Sequence, residues 1–291
     1  MPTTSLRPNR RPGRHTQLST APDAPTSATA YKVTGLRVLR SEWAKFWSLR
    51  SSWITLGVAV FLLVLFGTIA SYTYSPGAAT GGPPGGASVD STAVSLALTG
   101  VTFASLAVGV LGVLLSAGEY STGMIRSTLA AVPRRLPVLW SKAAVIGPIA
   151  LVLTSIGALA AFLLGTPGLD GENIALSLGD DGVLRSLAGA GVYLGLVAVF
   201  GVALGVLIRS SAGAIAVLVG ILLILPGLAS LLPDSLYDNI NPYFPSNAGS
   251  AVYALHESSG SLSPGTGLAV FAGWVALTLA GAGYRLVKSD A

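Results

Sequence analysis

Six long stretches without a single Asp, Glu, Lys or Arg divide this chain, and they leave it few ways to fold. Uncharged runs of 39 residues between Arg50 and Asp90, 28 between Asp90 and Glu119, and 27 between Lys142 and Asp170 are followed by three more. These hold 23 residues between Arg185 and Arg209, 24 between Arg209 and Asp234, and 27 between Glu257 and Arg285. About 20 apolar residues in a helix cross a hydrocarbon core, so every run is long enough to span one. The spacing predicts helices at about 53–72, 92–116, 143–165, 187–208, 212–232 and 267–286. Composition agrees: 52% of the 291 residues are hydrophobic and 10% are charged, against roughly 25% charged in a soluble domain. The expected fold class is an all-α polytopic membrane protein with six transmembrane helices.

Charge placement sets an expected orientation. Of the seventeen Lys and Arg, nine precede Trp53, four lie from Arg126 to Lys142, and Arg209, Arg285 and Lys288 make sixteen on one side of a six-span arrangement; only Arg185 falls on the other. By the positive-inside rule both termini are expected in the cytoplasm. Eight of the twelve acids (Asp90, Asp170, Glu172, Asp180, Asp181, Asp234, Asp238 and Glu257) fall in the outer loops. The formal charge of +5 thus reports topology rather than a nucleic-acid partner.

Residues 1–30 are rich in Pro, Ser, Thr, Ala and Arg without apolar periodicity, and read as a disordered cytoplasmic tail. Residues 31–52 read as an amphipathic interface helix. Leu36, Leu39, Trp43, Phe46 and Trp47 recur at helical spacing, with Arg37, Arg40, Glu42 and Lys45 opposite them, and a basic helix with Trp on its apolar face suits the headgroup region. Ser51 and Ser52 leave room for a bend into the bilayer. Residues 53–288 form the expected transmembrane domain. Pro148 and Pro226-Gly227 are expected to kink the third and fifth spans, and Gly191/Gly195 and Gly201/Gly205 form two G-x-x-x-G patterns that permit close helix approach. The outer segment 233–265 contains NPYFPSNAG, whose Tyr243 and Phe244 suggest a fold back onto the outer surface.

The stretch GEYSTGMIRSTLAAVPRR (118–135), inside an expected cytoplasmic loop 117–142, is an island of charge between apolar runs. Ser121 is placed to cap a short helix with Met124, Ile125, Leu129 and Val132 on one side, ended near Pro133. Two readings stay open from these residues alone: a basic loop that fixes topology, or a half-apolar knob that docks onto another protein.

Several kinds of chemistry are missing. No cysteine exists for a disulfide, a thiolate metal site or a nucleophile. The histidines are His15, in the tail, and His256, in an outer loop. No H-E-x-x-H, G-x-S-x-G or P-loop pattern occurs, and the expected spans hold no ionisable group well inside for a coupling ion. No catalytic, cofactor or metal site is expected, and the chain does not read as an enzyme.

SEWAKFWSLRSSW (41–53), followed by GEYSTGMIRSTLAAVPRRLPVLWSK (118–142) and the late NPYFPSNAG, resembles the type-2 ABC exporter permeases, in particular short six-span actinobacterial versions. The resemblance covers about residues 33–288. It implies a plasma-membrane permease in which two such subunits form the pathway and separate ATPase subunits bind ATP and Mg. It further implies that Glu119, Tyr120, Gly123, Ile125, Arg126, Thr128 and Leu129 lie in a loop coupled to the ATPase, and Trp43, Lys45 and Arg50 in the interface helix. Substrate, direction of transport and homodimer or heterodimer pairing do not transfer. The competing readings are a non-transport membrane protein, such as an assembly or immunity factor, and a secondary transporter.

Overall fold

The computed structural model describes residues 34–75, 91–124, 135–257 and 260–288. The tail 1–30, most of the first outer loop, and Ile125, Arg126, Thr128, Leu129 and Val132 lie outside these. All regular elements among the described residues are helical. They run as α1 (Gly35–Ser48), α2 (Arg50–Tyr72), α3 (Ala93–Ser121), α4 (Leu136–Leu169), α5 (Val183–Ile208), α6 (Ser211–Ala229), α7 (Asp234–Ile240), α8 (Pro245–Tyr253) and α9 (Pro264–Lys288). Six of them, α2 to α6 and α9, are long and apolar enough to cross a membrane, which makes this a multi-pass membrane protein.

The centre of the bundle is α5. In its most apolar 18-residue window 72% of residues are buried, against 28% for α2 and 22% for α6. A helix sheathed on all sides must let several neighbours approach its backbone, and its glycines do so in two directions. A methyl group at Gly191 would stand 1.8 Å from Ser155 Oγ, and one at Gly195 would stand 3.0 Å from the Gly147 carbonyl oxygen, both on α4. At Gly201 and Gly205 it would meet Gly109 O at 2.2 Å and Ser116 Oγ at 2.0 Å, on α3. Each G-x-x-x-G pattern is therefore a contact seam with a different helix. Side chains fill the interior between them, with Phe162, Phe200, Phe271, Leu63 and Leu194 fully buried.

The proline of α6 has a visible structural answer. Pro226 has no N–H to give and its ring crowds the carbonyl four residues back. The helix widens into a π turn at Gly220–Ile224, where the Leu225 N–H donates to Gly220 O. Pro148 lies inside the continuous α4.

Basic side chains close helix ends at the α1 end of the bundle. Arg209, left-handed at φ 61°, ends α5; its Nη2 donates to Arg285 O at 3.2 Å, while Arg285 Nη1 donates back to Leu207 O. Arg135 Nη1 reaches Leu286 O at 3.1 Å. These guanidiniums meet C-terminal carbonyls, where the helix dipole favours cations. Arg185, the exception in the charge count, sits at the opposite end, where its Nη2 donates to Ala254 O at 2.8 Å and Leu255 O at 3.1 Å.

The segment 233–265 folds back, as NPYFPSNAG suggests, but by other residues and into the bundle. Short helix α8 buries Ala248, Gly249, Ala251 and Val252 against α5 and α9. Gly249 lies under the Tyr193 ring, where a methyl group would come within 2.1 Å of Cε2. Tyr243 stays half-exposed and contributes its carbonyl, which accepts from Trp274 Nε1 at 3.1 Å.

Helix boundaries differ from expectation at the α1 end. The chain bends at Leu49, whose backbone is extended, and α2 already begins at Arg50, ahead of Ser51 and Ser52. The second span continues to Ser121 and the third begins at Leu136, so much of the expected 117–142 loop is helix. Ser121 lies in the last turn of α3, where its Oγ donates back to Gly118 O at 2.9 Å; the short helix it was expected to cap lies outside the described residues. At α3 and α4 the spans outrun the uncharged stretches, and the charges that end those stretches, Glu119 and Lys142, pair with each other inside the protein.

Candidate functional site

Four charged side chains from three helices meet at the α1 end. From α1 come Glu42 and Lys45, one turn apart; from the last turn of α3 comes Glu119; from the second turn of α4 comes Lys142. Lys142 Nζ donates to Glu42 Oε2 at 2.8 Å, Glu119 Oε1 at 2.7 Å and Leu115 O at 3.2 Å. An ammonium has three donors, so Lys142 is saturated. Lys45 Nζ lies 2.7 Å from Glu42 Oε1 and 3.1 Å from Glu119 Oε1. Glu42, Glu119 and Lys142 are buried at 6%, 9% and 7% exposure, so their mutual pairing, rather than water, must offset the cost of desolvation. Among the described residues the cluster holds two acids and two ammonium groups. One acceptor is left over: Glu119 Oε2 is buried without a hydrogen-bond partner.

Burial alone would push the Glu42 carboxyl up, but Lys142, and secondarily Lys45, outweigh it and hold the group below its ordinary range. Burial likewise opposes the charge of Lys45, and Glu42 and Glu119 overcome it, so its pKa is raised. Both groups keep their charges at neutral pH.

Glu42 was expected on the solvent side of α1. The helix turns otherwise: Val38, Glu42 and Phe46 face the bundle, while Leu36, Trp43 and Trp47 stay outside. The three tryptophans nearest the α1–α2 bend form a contiguous surface, with ring centroids 5.8 Å apart for Trp43 and Trp47 and 4.4 Å for Trp47 and Trp53. Arg50 is exposed at the start of α2.

Of the residues expected to meet a partner through the 118–135 stretch, Glu119 instead points inward into the cluster. Tyr120 lies beside Arg209, whose guanidinium carbon is 5.3 Å from the ring centroid. Gly123 ends α3 at φ +73°, a left-handed position that glycine takes without strain, and Met124 beyond it is half-exposed. Ile125, Arg126, Thr128 and Leu129 lie outside the described residues. Sequence reasoning missed Glu42 and Lys142 as site residues. The available signal was the position of Glu119 and Lys142 at the inner borders of two uncharged runs, where two opposite charges can be drawn between the same helices. The chain matches no protein-family model and no curated protein.

Proposed function

We propose that this chain is the membrane-spanning permease subunit of a type-2 ABC exporter in the plasma membrane, with its N and C termini in the cytoplasm. It would form the pathway with a second permease subunit and take its energy from separate ATPase subunits that bind ATP and Mg. The observation that carries this reading is the charged cluster. Glu119 and Lys142 belong to the two helices that lead into residues 122–135, and both grip α1, so force applied to that stretch has a rigid route into the spans. Two further features support it. The bundle centre is filled by α5, so a solute path would run along an outer face, completed by another subunit. Glu42 and Glu119 are each paired with lysines, which suits a fixed joint better than a carboxylate that binds and releases a coupling proton.

The test is co-expression with a P-loop ATPase encoded beside this gene, followed by pull-down of the complex and hydrolysis in liposomes. The sequence places Ile125 and Leu129 on the apolar side of the docking stretch. Burying such a side chain is worth about 1.5 to 3 kcal/mol, whereas an exposed ion pair is worth about 0 to 1. Ile125→Asp or Leu129→Asp should therefore release the ATPase, with the permease still inserted, and Arg126→Ala should do less. An ATPase that does not bind the native chain, or that binds both aspartate variants as well as the native chain, would overturn the assignment.

A further inference from the structure

We propose that Lys142 is a positioning residue for coupling: it locks α1 to the facing ends of α3 and α4, so that a displacement delivered through residues 122–135 reaches the tryptophan-bearing face of α1. The proposal rests on the permease reading for the source of that displacement, and on this chain alone for the lock.

The geometry makes Lys142 the hub. Its ammonium joins all three helices, through Glu42 of α1, through Glu119 and the Leu115 carbonyl of α3, and through its own place in α4. The alternative α1–α3 link, Lys45 to Glu119, is longer at 3.1 Å and involves a side chain 32% exposed. Leu49, in extended conformation between α1 and α2, is a single-residue joint, so a change in the angle of α1 is carried by few backbone torsions. Beside that joint lie Trp43 and Trp47, half-exposed. Val38 and Phe46 pack α1 against the bundle, and the buried ionic clamp between them is the polar contact that ties it to both α3 and α4.

The natural absence of cysteine allows clean labelling at Ser48 of α1 and Ser121 of α3, both exposed. Spin labels on Ser48→Cys and Ser121→Cys, with the full chain in nanodiscs, should give one narrow distance distribution. Lys142→Met should broaden it. Should Lys142→Met fail to insert, Glu42→Gln with Lys142→Met keeps the remaining Lys45–Glu119 pair neutral and should show the same broadening. A distribution as narrow as the native one in the Lys142 variants overturns the lock, whether or not any ATPase binds. With the ATPase present, adding ATP should shift the native distribution or the fluorescence of a label at Ser48. In Lys142→Met the ATPase should still co-purify and hydrolyse ATP while the label stops responding. An unchanged ATP response in that variant overturns the coupling role. Failure of the native chain to hold an ATPase would instead count against the permease reading and leave the lock to the distance measurement.

Discussion

Glu42 shows how a buried charge is kept. Its carboxylate sits 2.7 Å from Lys45 and 2.8 Å from Lys142, with Glu119 across the same ammonium groups. Removing one partner leaves an uncompensated charge, at a cost of about 3 to 5 kcal/mol for a buried pair. The sign of the pH dependence follows from the two shifted groups outside the spans. Glu42, lowered from 4.5, contributes stability that is present above 4.5 and lost as pH falls through its lowered pKa. Lys45, raised from 10.5, contributes stability that is present below 10.5 and lost as pH rises through its raised pKa. Between those limits the clamp should be indifferent to pH, so the Ser48–Ser121 label distance should be the same at pH 6 and pH 9 and broaden only in stronger acid or base. A second residue-scale expectation concerns glycine. Gly201→Ala would force a methyl group to within 2.2 Å of a backbone oxygen of α3, whereas at Gly57 nothing lies within 4 Å. Overpacking of this kind costs about 1 to 3 kcal/mol. Gly201→Ala should lower the melting temperature in detergent, and Gly57→Ala should leave it unchanged or raise it.

At the scale of elements, α1 is the least ordinary. Its inner face sets the charged Glu42 between the buried apolar Val38 and Phe46, while its outer face is aromatic. Leu36 is 79% exposed, and a tryptophan pair beside it fits the interfacial zone of a bilayer, where amphipathic rings sit. Brominated lipids should strongly quench the fluorescence of a variant in which Trp140 and Trp274 are replaced by Phe, leaving Trp43, Trp47 and Trp53. Weak quenching would mean that protein covers this face instead. The element scale is also where sequence reading succeeded and where it stopped. The spans were legible because uncharged length alone separates a membrane helix from other structures, and the seams of α5 were legible because glycine spacing maps onto helix faces. Lys142 was not, since a hydropathy run ends at the first charge whether or not that charge is later paired within the protein. Glu42 was misplaced for a related reason: periodicity assigns charged residues to water, and nothing in the spacing of one helix tells that two others will bring it partners.

For the whole molecule, the expected orientation gains a concrete form. Lys45, Arg135, Lys142, Arg209 and Arg285 each reach a neighbouring helix at the α1 end, and Arg185 is bonded at the other. Single cysteines at Ser121 and Ser177, both exposed, probe the two ends. An impermeant maleimide added outside intact cells should label Ser177→Cys and spare Ser121→Cys, and the opposite pattern would invert the molecule.

The sheathed position of α5 has a consequence for how the protein is made. With a mean hydropathy of 2.5, the helix can leave the translocon and enter lipid by itself, yet it ends with its most apolar stretch largely out of lipid contact. Its two glycine seams fit α3 and α4, which precede it in the chain and are already in the bilayer when it arrives. A nascent chain that has reached Arg209 therefore holds both partners of both seams, and assembly of this inner trio does not have to wait for α6 to α9. Bulky substitutions at Gly191 or Gly205 should accordingly spare insertion and act one stage later, yielding a chain that is threaded correctly through the membrane but remains open to proteolysis.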